Sequence, residues 1–137
     1  METGVEYINP KNAGPAQGLY THVSKVGAGH TYYIAGQLAV AKDGSVVGKG
    51  DFEAQFKQVF SNMATVLSDL GLTFDHIAKF TTYFVHSQDI EKFMALRAEY
   101  FPRYFKTEKF APNTICVLDR LVKEDFLFEV EAIAHAA

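Results

Sequence analysis

Between Asp51 and Gly71 the apolar residues Phe56, Val59, Phe60, Met63, Val66, Leu67 and Leu70 recur at spacings of three and four. That period predicts an amphipathic helix of about five turns. Asp51 can accept a backbone N–H as its N-cap, and Gly71 can take the left-handed conformation that closes a helix. The pattern then changes: Ile77–Val85 is dominated by β-branched and aromatic residues, which suit a half-buried strand. Ser87 can cap a second helix across Asp89–Tyr100, and Pro102 is placed to stop it, because the residue before a proline is pushed out of the helical region. Arg103–Ala111 reads as a loop. Asn113–Leu118 and Phe126–Ala134 read as two closing strands around the polar turn Lys123–Asp125.

The first fifty residues carry strand and turn signals. Tyr20–Val26 and Thr31–Ile34 flank the glycine-containing turn Gly27–His30, and Leu38–Ala41 runs into the turn Lys42–Ser45, a pattern that predicts an N-terminal β-meander. The predicted order is β-rich, α, β, α, β, β. Such an order implies an α+β domain with two helices on one face of a single mixed sheet. The other face needs cover from loops or from another subunit, which hints at an oligomer.

At 137 residues the chain has the length of one domain spanning 1–137 with one core. Its 48% hydrophobic content excludes a disordered chain. A net charge of −3 argues against nucleic acid as a partner, since phosphate-backbone binding rests on clustered Lys and Arg. The single cysteine, Cys116, cannot form an intrachain disulfide, so no oxidising compartment is needed. No apolar run is long enough for a membrane span, and the acidic start Met1–Glu6 does not read as a secretory signal. The expected location is the cytoplasm.

Few residue clusters suggest chemistry by themselves. His22, His30, His76, His86 and His135 lack metal-ligand spacing, so no metal is expected. Gly44–Gly50 lacks the spacing of a phosphate-binding loop and reads as a surface turn. Cys116, mid-strand among Ile115, Val117 and Leu118, fits an inert buried thiol better than a nucleophile, which needs a nearby cation or helix N-terminus. Glu129 and Glu131 lie two apart in the last strand and share a face with Leu127 and Ile133. Carboxylates there must be paired, solvated or used.

Four stretches in order resemble the RidA/YjgF reactive-intermediate-deaminase family. They are Gly18-Leu-Tyr20-Thr-His22, Tyr33-Ile-Ala-Gly36-Gln37, Arg97-Ala-Glu-Tyr-Phe-Pro102 and Phe128-Glu129-Val-Glu131-Ala-Ile-Ala134, and they span essentially the whole chain. The resemblance implies a chorismate-mutase-like α+β domain, assembled as a homotrimer with small-molecule clefts between subunits. It also implies cofactor-independent hydrolysis of enamines and imines such as 2-aminoacrylate to a keto acid and ammonia. By carry-over, Tyr20 lines the cleft, the Ala35–Gly36 segment contributes backbone contacts, Cys116 matches the family's cleft cysteine, and Glu129 matches the glutamate that positions the attacking water. A carboxylate in a partly desolvated cleft can accept and return the proton of that water.

Two positions depart from the family. Its P-x-R-[ST] segment corresponds to Pro112-Asn113-Thr114-Ile115 here, so the arginine that would fork onto a substrate carboxylate is replaced by Thr114 without a gap, or by Asn113 with one. Ala35 replaces the serine before Gly-Gln. A charge-assisted contact is worth about 1.5–3 kcal/mol against about 1 for a neutral hydrogen bond, so 2-aminoacrylate should bind more weakly by about one to two powers of ten. Either the substrate lacks that carboxylate, or another cation such as Arg103 or Arg120 reaches the cleft. Three functions are thus in play: a Rid-type hydrolase with Glu129 orienting water and Tyr20 with Thr114 or Asn113 shaping the pocket; a non-catalytic small-molecule-binding trimer; and a ribonuclease, which the acidic chain disfavours.

Overall fold

The computed structural model describes residues 2–137, so Met1 of the acidic start lies outside the described residues. Its six strands are β1 (Val5–Ile8), β2 (Val23–Val26), β3 (His30–Gln37), β4 (Ile77–Phe84), β5 (Asn113–Val117) and β6 (Phe128–Ala136). The two helices are α1 (Phe52–Asp69) and α2 (Asp89–Tyr104), with a short 3-10 turn at Phe74–His76 between α1 and β4.

α1 begins and ends as its residues dictate. The Asp51 carboxylate accepts from Ala54 N at 3.1 Å, and Gly71 sits at φ +75° just beyond the last turn. α2 departs from expectation at both ends. Ser87 offers only its backbone carbonyl, to Ile90 N at 3.1 Å, and no side chain caps the helix start. Pro102 does not stop the helix but lies inside its last turn, and Phe105 N still bonds Phe101 O at 3.0 Å. Arg103 is consequently helical rather than part of a loop. A proline this close to a helix end forfeits one intrahelical bond, and aromatic packing outweighs that loss. Tyr104 stacks on Phe74 with centroids 4.7 Å apart and on Phe60 at 5.7 Å, while Phe101 is fully buried.

Four strands form a mixed sheet in the order β3-β6-β4-β5. Only the β4–β5 pair is parallel, and α2 supplies the crossover that a parallel pair requires. The predicted N-terminal meander does not form. β2 pairs with β1 in a separate two-stranded ribbon, and β3 pairs with β6. The reason is burial: Ile34 of β3 must face the core under α1, whereas the ribbon is tied to the start of β4 by Tyr7 Oη donating to Ile77 O at 2.6 Å and Ser24 Oγ to Ala78 O at 2.5 Å. β6 starts two residues later than predicted because Phe126 N closes a turn onto Lys123 O and Leu127 N donates to Gln55 Oε1.

Both helices cover one face. Phe128 of β6 sits at the centre of this core, with ring centroids 5.1 Å from Phe52, 5.7 Å from Phe56, 5.4 Å from Phe84 and 5.7 Å from Phe93. Because side chains alternate along a strand, burying Phe80, Phe84, Phe128, Val130 and Ala132 turns Lys79, Thr81, Tyr83, Glu129, Glu131 and Ile133 to the other face. Tyr33, opposite Ile133, stands on that open face with 82% of its surface exposed. No helix is long and apolar enough to cross a membrane among the described residues.

Candidate functional site

The residues singled out in the sequence fall into two groups on either side of β5. Thr114 and Cys116 pair with Thr81 and Tyr83 of β4, which pair in turn with Glu131 and Glu129 of β6. These six side chains share the open face. Asn113, one residue out of phase, points to the helix side, and its Oδ1 accepts from Thr82 Oγ1 at 2.9 Å. There it joins Tyr20 in lining a cavity of about 290 Å³ beneath α2. The gap-free alignment therefore places the family's arginine position, Thr114, with Cys116 and Glu129, whereas the gapped one places it with Tyr20.

Glu129 is half-buried and owes its position to a bulge in β3. Ile34 opposes Ala132 and Gln37 opposes Val130, so Ala35 and Gly36 together oppose a single residue, Glu131. A bulge of this kind re-aims the chain locally, and here it brings the Gly36 backbone over the Glu129 carboxylate. A Cβ at position 36 would lie 2.5 Å from Glu129 Oε2, so only glycine leaves the carboxylate its place. Ala35 is exposed beside it, and its carbonyl accepts from Gln37 Nε2 at 3.0 Å. Asn62 of α1 steadies the chain after the bulge by donating to Leu38 O and Val40 O, each at 2.9 Å. Gln55 does the same before β6, donating to Gly48 O and Asp125 O and accepting from Leu127 N.

Burial raises the pKa of Glu129 above the usual carboxylate value, and the neighbouring Glu131 raises it further. Glu131 itself accepts a hydrogen bond from the Tyr83 hydroxyl, and chiefly that bond lifts the tyrosine pKa to about 12. One carboxylate is thus clamped by a phenol while the other holds a proton more readily, the separation of roles that acid–base chemistry uses.

Lys79 was not singled out from the sequence. Its Nζ donates to Thr114 Oγ1 at 2.9 Å and to Phe80 O at 2.5 Å, which puts an ammonium beside the position where the resemblance implied a guanidinium. Burial lowers its pKa, and Cys116 and Glu131 act in the opposite sense. The signal was its phase, since Lys79 lies two and four residues before Thr81 and Tyr83 and must share their face. The two arginines offered as substitutes do not reach this face. Arg103 lies over the Tyr100 ring at 4.7 Å, and Arg120 pairs with Glu124 at 3.0 Å while donating to Leu121 O.

Comparison with known proteins identifies the family and the fold. The family model described as endoribonuclease L-PSP matches residues 11–136. The chain is 33% identical over 131 residues to a RutC family protein of Pyrococcus horikoshii, covering 95% of this chain and 97% of the relative. It is 30% identical over 135 residues to the 3-aminoacrylate deaminase RutC of Acinetobacter baylyi, covering 95% and 97%. Among solved structures, the Rid-family protein YyfB from Yersinia pestis superposes with a TM-score of 0.86 at 27% identity, covering 96% of this chain and 98% of that one. The YjgF gene product of E. coli gives 0.70 at 28% identity, covering 96% and 99%. With a family model spanning most of its length and relatives matched end to end, the chain belongs to the RidA/YjgF family.

Proposed function

We propose that the protein is a Rid-type hydrolase that deaminates small imines or enamines without a cofactor, in the cytoplasm, at clefts between the subunits of a homotrimer. The observation that carries this reading is the Glu129 carboxylate, half-buried against Gly36 with its pKa raised. Glu129 takes a proton from a water molecule as the water oxygen forms a bond to the imine carbon. Returning that proton to nitrogen completes the carbinolamine, and a second transfer through the same carboxylate, from the carbinolamine hydroxyl to nitrogen, breaks the C–N bond, releases ammonia and leaves a carbonyl. Tyr83 holds the second carboxylate, that of Glu131, in place beside it, and Cys116 lines the same face. The activity for which the Acinetobacter relative is named, 3-aminoacrylate deamination, supports this class of chemistry.

A trimer supplies what one protomer lacks. The open face is a sheet surface carrying an exposed tyrosine, and a pocket needs a second wall. The decisive experiment generates a panel of imines in place, with and without a carboxylate, and follows ammonia. Turnover by the wild type and its loss in Glu129→Gln, with ligand binding kept, is the expected result. Turnover no faster than in buffer across the panel ends the hydrolase reading.

The absence of an arginine at position 114 and of a hydroxyl at Ala35 favours a second reading, a trimer that binds a small ligand and leaves it unchanged. A ligand that raises the melting temperature and is recovered intact would select it.

A further inference from the structure

Lys79, near the start of β4, is half-buried on the open face and makes no ion pair among the described residues. Lys49, Lys57 and Lys92 each meet a carboxylate, at 3.4, 3.1 and 3.5 Å. The acceptors at Lys79 are instead neutral: Phe80 O at 2.5 Å and Thr114 Oγ1 at 2.9 Å. A carboxylate would hold the ammonium in its charged form, whereas a carbonyl and a hydroxyl leave burial to set the balance. Burial lowers the lysine pKa, against smaller opposing effects of Cys116 and Glu131. A lysine relieved of its proton in this way is a nucleophile toward carbonyl carbon.

Sheet register sets what surrounds that nitrogen. Thr114 and Glu131 pair with Thr81 from its two sides, and Tyr83 is the next residue of β4 on the same face. With strands about 4.8 Å apart, the backbones at Thr114 and Glu131 stand about 10 Å apart. Lys79 Nζ, held at Thr114, and the Glu131 carboxylate therefore lie on opposite sides of Thr81. The Tyr83 hydroxyl donates to Glu131 Oε1, which leaves Oε2 to take and return a proton. In the row of Lys79 itself, the lysine pairs with Ile133, and Ile133 pairs with the exposed Tyr33, so an apolar shelf runs beside the amine. The charge of Glu131 disfavours an anionic partner. An amine, a proton carrier, an apolar shelf and a neighbouring negative charge together select a small uncharged aldehyde.

We propose that Lys79 is a covalent capture site for small uncharged aldehydes, which it binds reversibly as a Schiff base. The Nζ lone pair forms a bond to the carbonyl carbon as the C=O π pair moves onto oxygen. Two protons then pass in turn from nitrogen to oxygen through the Glu131 carboxylate. The first completes a carbinolamine, and the second breaks its C–O bond, releases water and leaves the C=N bond. No oxidant or cofactor enters this balance, and water reverses it. The chemistry uses Lys79 and Glu131 rather than Glu129, so it goes beyond the hydrolase reading and does not rest on it.

Incubating the full-length protein at neutral pH with propanal and sodium cyanoborohydride, which reduces a Schiff base to a stable secondary amine, tests this by peptide mapping. Lys79 should gain a propyl group about tenfold or more faster than Lys57, whose ammonium is held by Glu53. Thr114→Asp, which sets a carboxylate against the amine, should slow the labelling of Lys79 by about tenfold. Replacing propanal by glyoxylate should lower the ratio of Lys79 to Lys57 labelling. Labelling of Lys79 no faster than that of Lys57, wild-type labelling in Thr114→Asp, or a ratio with glyoxylate as high as with propanal overturns the site. Should Thr114→Asp fail to fold, the two wild-type ratios decide. Preferential labelling of Lys79 without ammonia release from the imine panel would keep this site and remove the hydrolase reading, whereas turnover of imines without preferential labelling would do the reverse.

Discussion

The backbone of Gly36 and the carboxylate of Glu129 occupy adjoining space so closely that a methyl group on the glycine would fall 2.6 Å from Glu129 Cδ. The obstructed group is the end of a side chain, which can rotate away. Gly36→Ala should therefore cost about 1 kcal/mol or less in unfolding free energy while moving the carboxylate off its place. Misplacement by about 1 Å can slow an enzyme by about a hundredfold. Chemical denaturation read beside ammonia release checks both halves, and an alanine variant with full turnover would show that this contact does not position Glu129.

Stability should depend on pH through the same carboxylate. A carboxyl whose folded pKa lies above its unfolded value binds more protons in the folded state, so stability falls as pH rises from the ordinary glutamate value of about 4.5 through the raised folded value. Glu129→Gln has no proton to lose. Urea unfolding of both proteins at fixed protein concentration should show the wild type losing ground to the variant as pH rises through that window. A wild type that gains on the variant would mean that a cation stabilises the ionised form.

Tyr33 projects from the open face with most of its surface bare. If that face meets other subunits, Tyr33→Asp buries a charge in the contact and should weaken assembly by about 2 kcal/mol or more. Sedimentation velocity should find the wild type at about three times 15.3 kDa and the variant shifted toward the monomer. An unshifted variant would take this face out of the interface.

Phe128 packs among Phe52, Phe56, Phe60, Phe84 and Phe93 on the side of β6 opposite Glu129. Phe128→Ala leaves a ring-sized void under both helices, and such truncations cost about 3–5 kcal/mol. That is a large share of a typical domain's stability of about 5–15 kcal/mol. The unfolding midpoint in urea measures it.

Cys116 shares a face with Glu129 but is assigned no proton transfer or bond to substrate. Cys116→Ser should leave turnover within about threefold of wild type, a free-energy change below about 1 kcal/mol. A much larger loss in the ammonia assay would give the thiol a chemical role.

What the amino acids determined alone is what depends on neighbours along the chain. The span of α1 with its Asp51 cap and Gly71 exit, the β4 strand, and the shared face of Glu129 and Glu131 all follow from local periodicity and capping. Where contacts between distant segments compete with a local signal, the tertiary structure decided. Aromatic burial carried α2 through Pro102 to Tyr104, and the demands of the core sent β3 to β6 rather than to β2. The site divides in the same way. Glu129 could be read from its motif, but the separation of Asn113 from Thr114 across β5 and the approach of Lys79 to Thr114 exist only once the sheet is paired and α2 is laid on it. Hydrogen bonds and charge pairing between residues tens of positions apart leave no period in a sequence, because only the folded chain brings their atoms within reach.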